Sequence, residues 1–377
     1  MMELLKSVKE YRKILHQIPE LGFDLPKTHE FIKMTLQSFG YNVEVVAQKG
    51  LIAYRKGRLP QYIAFRADMD ALPIHEESTY PYPSLHEGRM HACGHDGHMA
   101  LLLGFAKELT KYPSLTKGVL LIFQPAEETS GGAQPIINEG VFQRFPVEAI
   151  FGYHLFPELE EGIVGLAAGP LMAMSTELNV TILGKSGHGG KPHQGIDALI
   201  VASHFVQAVQ SMMSRMVNPI EPSVLTIGKV KGGEGRSIIM GKVQLEGTIR
   251  TFNVMTTDRI IQQLDTITKG LETMFGATII LETVKRYPPV INDKALFQTV
   301  DSLIELEDKE FIEPMMLAED FSYYQQVVPG LFMMLGTRNE ERGFIHPLHS
   351  SHFNFDETVL IKGIELYFRI CKSLDVL

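Results

Sequence analysis

Three apolar runs each lead into a polar residue with chemistry of its own. YIAFRA from residue 62 runs into Asp68 and Asp70, GVLLIFQ from 118 into Glu127 and Glu128, and EAIFGYHL from 148 carries His154 near its end. A fourth run, GLIAYRK, begins near 50. Helical spacing lies between them, in DGHMALLLGFAKELTK after 96 and GAQPIINEG after 132. Short apolar runs alternating with helical periodicity make an α/β layer. Ligands of open α/β sheets bind at the carboxyl ends of the strands, so these polar residues are expected to converge on one edge.

The rhythm changes near 173. Strand STELNVTILGK is followed by helix GIDALIVASHFVQAVQSMM, strands PSVLTIGKVKG and IIMGKVQLEGTIRTF, a helical stretch from about 256 to 275, and strand GATIILETVKRY. This β-α-β-β-α-β order predicts a small ferredoxin-like α+β domain inserted in the larger one. Mixed α/β then returns, with GLFMMLGT as a buried strand and ETVLIKGIELYFRICKSL as a closing helix. The chain of 377 residues exceeds one ordinary core. The expected division is therefore a mixed-sheet α/β catalytic domain of 1–172 and 290–377, interrupted by an α+β domain of 173–289.

A net charge of −9 without a basic cluster argues against nucleic acid or an anionic membrane as partner. No apolar run has the length of a membrane span, and MMELLKSVKEYRKIL reads as an amphipathic surface helix rather than a signal peptide. Two cysteines, Cys93 and Cys371, are too few for a disulfide framework, so a reducing cytoplasm is expected. Cys371, on the closing helix, reads as core.

Cys93 sits in HACGHDGH, two residues from His95 and between glycines that free the loop to turn both side chains toward one ion. A buried structural cysteine is the plain alternative. Glu127 and Glu128 in QPAEE are adjacent outside a regular helix, where one carboxylate can bind metal while the other acts as a general base. The plain alternative is a solvated acidic pair opening a helix. His349 in HPLHSSHF, with His346 and His352 as rivals, adds another imidazole. Thiolate, imidazole and carboxylate together suit zinc, and also admit Mn, Co or Ni.

Nine stretches, taken in order, resemble one known group: HQIPELGF, FRADMDALPI, HEGRMHACGHDGHMA, IFQPAEETSGGAQP, GKSGHGGKPH, LEGTIRT, YPPVIND, AEDFSYY and LHSSHFNFDE. The chain is similar, over nearly its whole length, to the aminoacylase and hippurate hydrolase family of two-metal amidohydrolases, relatives of carboxypeptidase G and the diaminopimelate-pathway deacylases. The resemblance implies that Cys93, His95, Glu128, His154 and His349 hold two divalent ions. It implies Glu127 as the general base toward a metal-bridging water and Asp70 as the acid supporting the ligands. Asp68 and Asp96 are weaker candidates, Asp96 as a ligand's support or a helix cap. His75, His86, His91 and His98 read as structural or as supports of the ligands.

In the inserted domain, which resembles the family's dimerisation and lid domain, His188 of GKSGHGG matches the histidine that stabilises the oxyanion, usually of the partner subunit. Arg250 of GTIRT matches the residue that pairs with the substrate carboxylate. Where relatives commonly read N-x-I, this chain has Ser237-Ile238-Ile239, a hydroxyl in place of an amide that holds substrate. The expected activity is hydrolysis of N-acyl amino acids, N-acetyldiaminopimelate among them, by a homodimer or homotetramer. The alternatives are a metallo-carboxypeptidase or dipeptidase of the same fold and a non-catalytic metal-binding scaffold.

Overall fold

The structure, a computed structural model, describes residues 2–78 and 80–377. It has two compact units, one of Met1–Leu171, Ile291–Glu313 and Asp320–Leu377, the other of Met172–Val290 and Pro314–Glu319. The first opens with helices α1 (Met2–Gln17) and α2 (Pro26–Ser38), then strands β1 (Asn42–Val46), β2 (Gly50–Arg55) and β3 (Tyr62–Asp68). Helix α3 (His95–Leu109), β4 (Gly118–Gln124), the short α4 (Ala133–Asn138), β5 (Val147–Glu160) and β6 (Val164–Leu166) follow. The second unit supplies β7 (Met174–Leu183), α5 (Ala198–Arg215), β8 (Ser223–Gly232), β9 (Lys242–Thr251), α6 (Val254–Phe275) and β10 (Thr278–Lys285). The first unit resumes with β11 (Lys309–Phe311), β12 (Gly330–Arg338) and α7 (Thr358–Ser373).

The first unit is built on a mixed sheet of order β1-β2-β4-β3-β5-β12-β6-β11. Its centre is parallel: β3 pairs with β4 and β5, and β5 with β12, all in the same direction. Strands β3 and β4 are buried along their whole length, as their continuous apolar sequence requires. Helix α3 is apolar nearly all round and packs Leu102, Phe105 and Leu109 into the same core as Phe65 of β3 and Tyr367 of α7. The ring centroids of Phe65 and Tyr367 are 4.5 Å apart. Helix α1 is amphipathic as expected, but its inner face carries Arg12 and His16 beside Leu4, Val8 and Leu15.

The second unit has the expected β-α-β-β-α-β order in an antiparallel sheet β8-β9-β7-β10. Alternate residues Leu178, Val180 and Ile182 of β7 share a core with Val201 and Phe205 of α5 and Ile260 and Leu264 of α6. Two expectations need correction. The run from 238 is not one strand, because Ile238–Ile239 pairs with Gly187–His188 and only Lys242–Thr251 joins the main sheet. Residues 314–319, expected in the catalytic domain, belong to the second unit, where the Ala173 N–H donates to the carbonyls of Met315 (3.1 Å) and Leu317 (2.8 Å).

Candidate metal centre

Parallel strands β3, β4 and β5 bring their carboxyl ends to one edge of the sheet, and the segments that leave them carry the expected donors. Cys93 lies in the turn before α3 and His95 is the first residue of that helix. Between them Gly94 has φ +82°, a left-handed conformation that glycine adopts at little cost. Glu127 and Glu128 follow β4 in a turn, not at the start of a helix, with Glu127 buried and Glu128 partly so, and Ala126 before them has φ +61°. His349, in the loop before α7, also has positive φ (+63°). Its backbone N–H donates to the Ala92 carbonyl at 2.8 Å, which ties that loop to the cysteine turn. Non-glycine residues in this region are uncommon and persist where surrounding contacts impose them.

The donor atoms meet. Those of Cys93, His95 and His154 lie within 4.8 Å of one another, as do those of Cys93, Glu128 and His349, and those of His95, Glu127 and Glu128. Cys93 Sγ is 3.4 Å from His154 Nε2, and Glu128 Oε1 is 3.4 Å from His349 Nε2 and 3.8 Å from His95 Nε2. Backbone carbonyls set the tautomers. His95 Nδ1 donates to the Asp70 carbonyl at 2.7 Å and His154 Nδ1 to the Leu155 carbonyl at 2.7 Å, so both rings turn an unprotonated Nε2 inward. Glu128 Oε1 is buried with His349 Nε2 as its ion-pair partner at 3.4 Å, and His95 Nε2 is buried without a hydrogen-bond partner. Buried polar atoms are rarely left so, and a lone pair facing a thiol and a carboxylate fits a divalent cation. The rings of His346 and His352 lie 5.2 Å apart, tilted by 35°, and take no part in these groups.

Asp70, fully buried, accepts the backbone N–H of Glu127 at 2.9 Å and of Glu128 at 3.1 Å. It thus fixes the backbone of the acidic pair and, through its own carbonyl, the His95 ring. Burial and the charge of Glu128 push the Asp70 carboxyl well up. Burial opposes ionisation of Glu128 too, but the hydrogen bond from His349 and the charge of His95 outweigh it and hold that group at about 2. Burial lowers His154 to about 3, and burial with the charges of Glu128 and Glu127 pushes the Cys93 thiol up. A bound cation reverses these preferences for the thiol, because a coordinating sulfur is held as thiolate.

His188, Ser237 and Arg250 lie in the second unit. The exposed His188 accepts the Gly190 N–H on Nδ1 at 2.9 Å, and the Ser237 carbonyl accepts the Gly189 N–H at 2.8 Å. Arg250, on β9, donates to Thr248 Oγ1 and to the Ile249 carbonyl.

The sequence profile described as peptidase family M20/M25/M40 matches residues 64–373. The chain belongs to this family. It is 37% identical over 373 residues to an uncharacterized hydrolase of Staphylococcus aureus, covering 97% of each chain. A crystal structure of an aminohydrolase candidate from methicillin-resistant S. aureus superimposes with a TM-score of 0.91 at 33% identity, covering both chains fully. The Bacillus subtilis YxeP protein, described as a dinuclear metal binding peptidase of the M20 family, gives 0.85 at 30% identity, over 100% of this chain and 99% of that one. The M20/M25/M40 assignment makes the chain a hydrolase. Among the described residues no helix is long and apolar enough to cross a membrane.

Two buried networks of this M20/M25/M40 chain were not legible in its sequence. Arg66, inside apolar β3, pairs with Asp68 Oδ2 (2.7 Å) and Asp320 Oδ1 (2.9 Å) and donates to Gln124 Oε1 (3.1 Å). Asp320 also takes the N–H groups of Gly132 (2.8 Å) and Ala133 (3.0 Å), anchoring the segment that follows the acidic pair. The only prior sign was an arginine in the apolar run YIAFRA and an aspartate in AEDFSYY. In the second network Asp96 Oδ2 accepts from Arg12 Nε (3.1 Å) and His16 Nδ1 (2.8 Å), and Arg12 reaches Glu357 (3.1 Å). Asp96 therefore anchors α3 to α1. Gly94, not Asp96, is the cap residue of α3.

Proposed function

We propose that this chain hydrolyses the amide bond of N-acyl amino acids, of N-acetyl or N-benzoyl type, with two divalent ions held by Cys93, His95, Glu128, His154 and His349. The observation that carries the reading is the buried His95 Nε2, which has no hydrogen-bond partner and sits beside Glu128 Oε1 in donor groups that also contain Cys93, His154 and His349. The similarity to a dinuclear metal binding peptidase supports two ions, and the thiolate and imidazole donors favour zinc, with Mn, Co and Ni as rivals. When bound, such ions lower the pKa of water and polarise the amide carbonyl.

The rest of the chemistry falls to the chain. Glu127, whose backbone is fixed by Asp70, takes a proton from the attacking water and returns it to the leaving amine. Arg250 is half-buried, and among the described residues no carboxylate pairs with it. Such a guanidinium suits the substrate carboxylate, with Ser237 as a further contact. His188 is assigned to the oxyanion. A cytoplasmic homodimer or homotetramer completes the reading.

Glu127→Ala should leave metal content and folding intact while nearly abolishing turnover of N-acetyl and N-benzoyl amino acids; retained turnover refutes the assignment. A peptidase reading draws support from the description of the YxeP protein. Activity on unblocked dipeptides with none on N-acylated substrates would select it.

A further inference from the structure

His98 stands next to the proposed centre, and its donor atom groups with those of Asp68 and His95 as a ligand's would. Its hydrogen bonds exclude that role. The Leu155 N–H can only donate, and it lies 2.9 Å from His98 Nε2, which must therefore be the unprotonated nitrogen. The proton is on Nδ1 and is donated to Asp68 Oδ1 at 2.6 Å. Asp68 is engaged on its other oxygen as well, which takes Arg66 Nη1 at 2.7 Å. The set is satisfied within the protein, and all three side chains are buried.

The sheet explains why a histidine is needed there. Strand β5 pairs with β3 only as far as Gly152, opposite Arg66, while on its other side pairing with β12 continues past His154 and Leu155. On the β3 side the Leu155 peptide has therefore lost its ladder neighbour. His98 Nε2 takes its N–H, and the His154 ring donates Nδ1–H to its carbonyl at 2.7 Å. The two rings also meet edge to face, with centroids 4.8 Å apart. Leu155, whose carbonyl fixes the His154 tautomer, is thus itself held through its N–H by His98.

We infer that His98 is a positioning residue: oriented by Asp68, it holds the Leu155 peptide so that His154 presents Nε2 toward Cys93. The inference rests on the metal reading above. Supporting partners of this kind usually affect metal affinity about 10- to 100-fold when removed.

Cobalt(II) titration of the metal-free full chain, followed by visible absorption and chelator competition, tests it without recourse to turnover. His98→Leu should weaken cobalt binding at one site about 10- to 100-fold and shift the cobalt absorption bands. His98→Gln places an amide oxygen where Nε2 accepted, and should restore affinity to within about threefold of the parent. His98→Asn, reaching Asp68 but not Leu155, should behave like the leucine variant; circular dichroism identifies the folded variants. Parent-like affinity and spectrum in His98→Leu, or equal losses in the Gln and Asn variants, would overturn the positioning role alone. A parent chain that binds no cobalt would overturn the metal reading and the inference together.

Discussion

Asp96 offers a perturbation whose size follows from its contacts. Its carboxylate is fully buried and faces Arg12, which is 1% exposed, at 3.1 Å and His16 at 2.8 Å. Despite burial, the charges of Arg12 and His16 hold the Asp96 carboxyl far below the usual range. Asp96→Asn keeps the volume and removes the charge, leaving the Arg12 guanidinium with Glu357 as its carboxylate partner and with neutral acceptors at Phe355 O (2.9 Å) and Asn354 Oδ1 (2.8 Å). Removing one partner of a buried pair costs about 3–5 kcal/mol. The remaining partners place the expected loss at the lower end, about 3 kcal/mol. For a domain of this size that corresponds to a fall in Tm of about 6–12 °C.

The assay is urea denaturation of the metal-free protein, with Arg12→Met and the double variant completing a cycle. A coupling of at least about 2 kcal/mol is expected, toward the upper part of the range for residues in contact. The metal-free state matters. If Asp96 acts through the metal, the variant will lose stability only when metal is present. A loss below about 1 kcal/mol in the metal-free protein, below the range for an ordinary buried pair, would refute a structural role for Asp96.

His16, pulled up from 6.5 by hydrogen bonds to Asp96 and Glu76 against the effect of burial, stabilises the fold fully at pH below its unfolded value and ceases to do so as pH rises through the raised one. His16→Asn should therefore cost more stability near pH 5 than near pH 9, conditions bracketing the ordinary range of imidazole; equal costs would contradict the pairing. Gly97→Ala places a Cβ 2.6 Å from Phe355 Cζ and 2.7 Å from Leu155 Cδ1. Overpacking of this kind costs about 1–3 kcal/mol, so chemical denaturation should show a loss in that range, and cobalt affinity should fall with it. Zinc at about one hundred times its dissociation constant should raise the unfolding free energy by about 2.7 kcal/mol, and a chelator should reverse the shift in a thermal melt.

Periodicity alone determined the central strands, α3, α7 and the order of elements in the second unit, because burial on a sheet or helix imprints a local pattern that distant residues cannot erase. Residue type and spacing also marked Cys93, His95, Glu127, Glu128 and His154 as donors with the chemistry of a metal centre, while His349 was singled out from His346 and His352 only by the family resemblance. What the sequence could not determine was which side chains support them. Arg12 and Arg66 read locally as a surface charge and an interruption of a strand, and both are buried in ion networks with residues up to hundreds of positions away, Asp320 and Glu357 among them. His98 and Asp96, separated from His95 by three residues and one, serve opposite sides of α3, one toward β3 and β5 and the other toward α1. The left-handed conformations of Ala126 and His349 likewise have no local signature, since alanine and histidine give no warning of positive φ. Such features belong to the tertiary structure because a buried charge or a strained peptide is stable only when its partners are already in place, and those partners come from elsewhere in the chain.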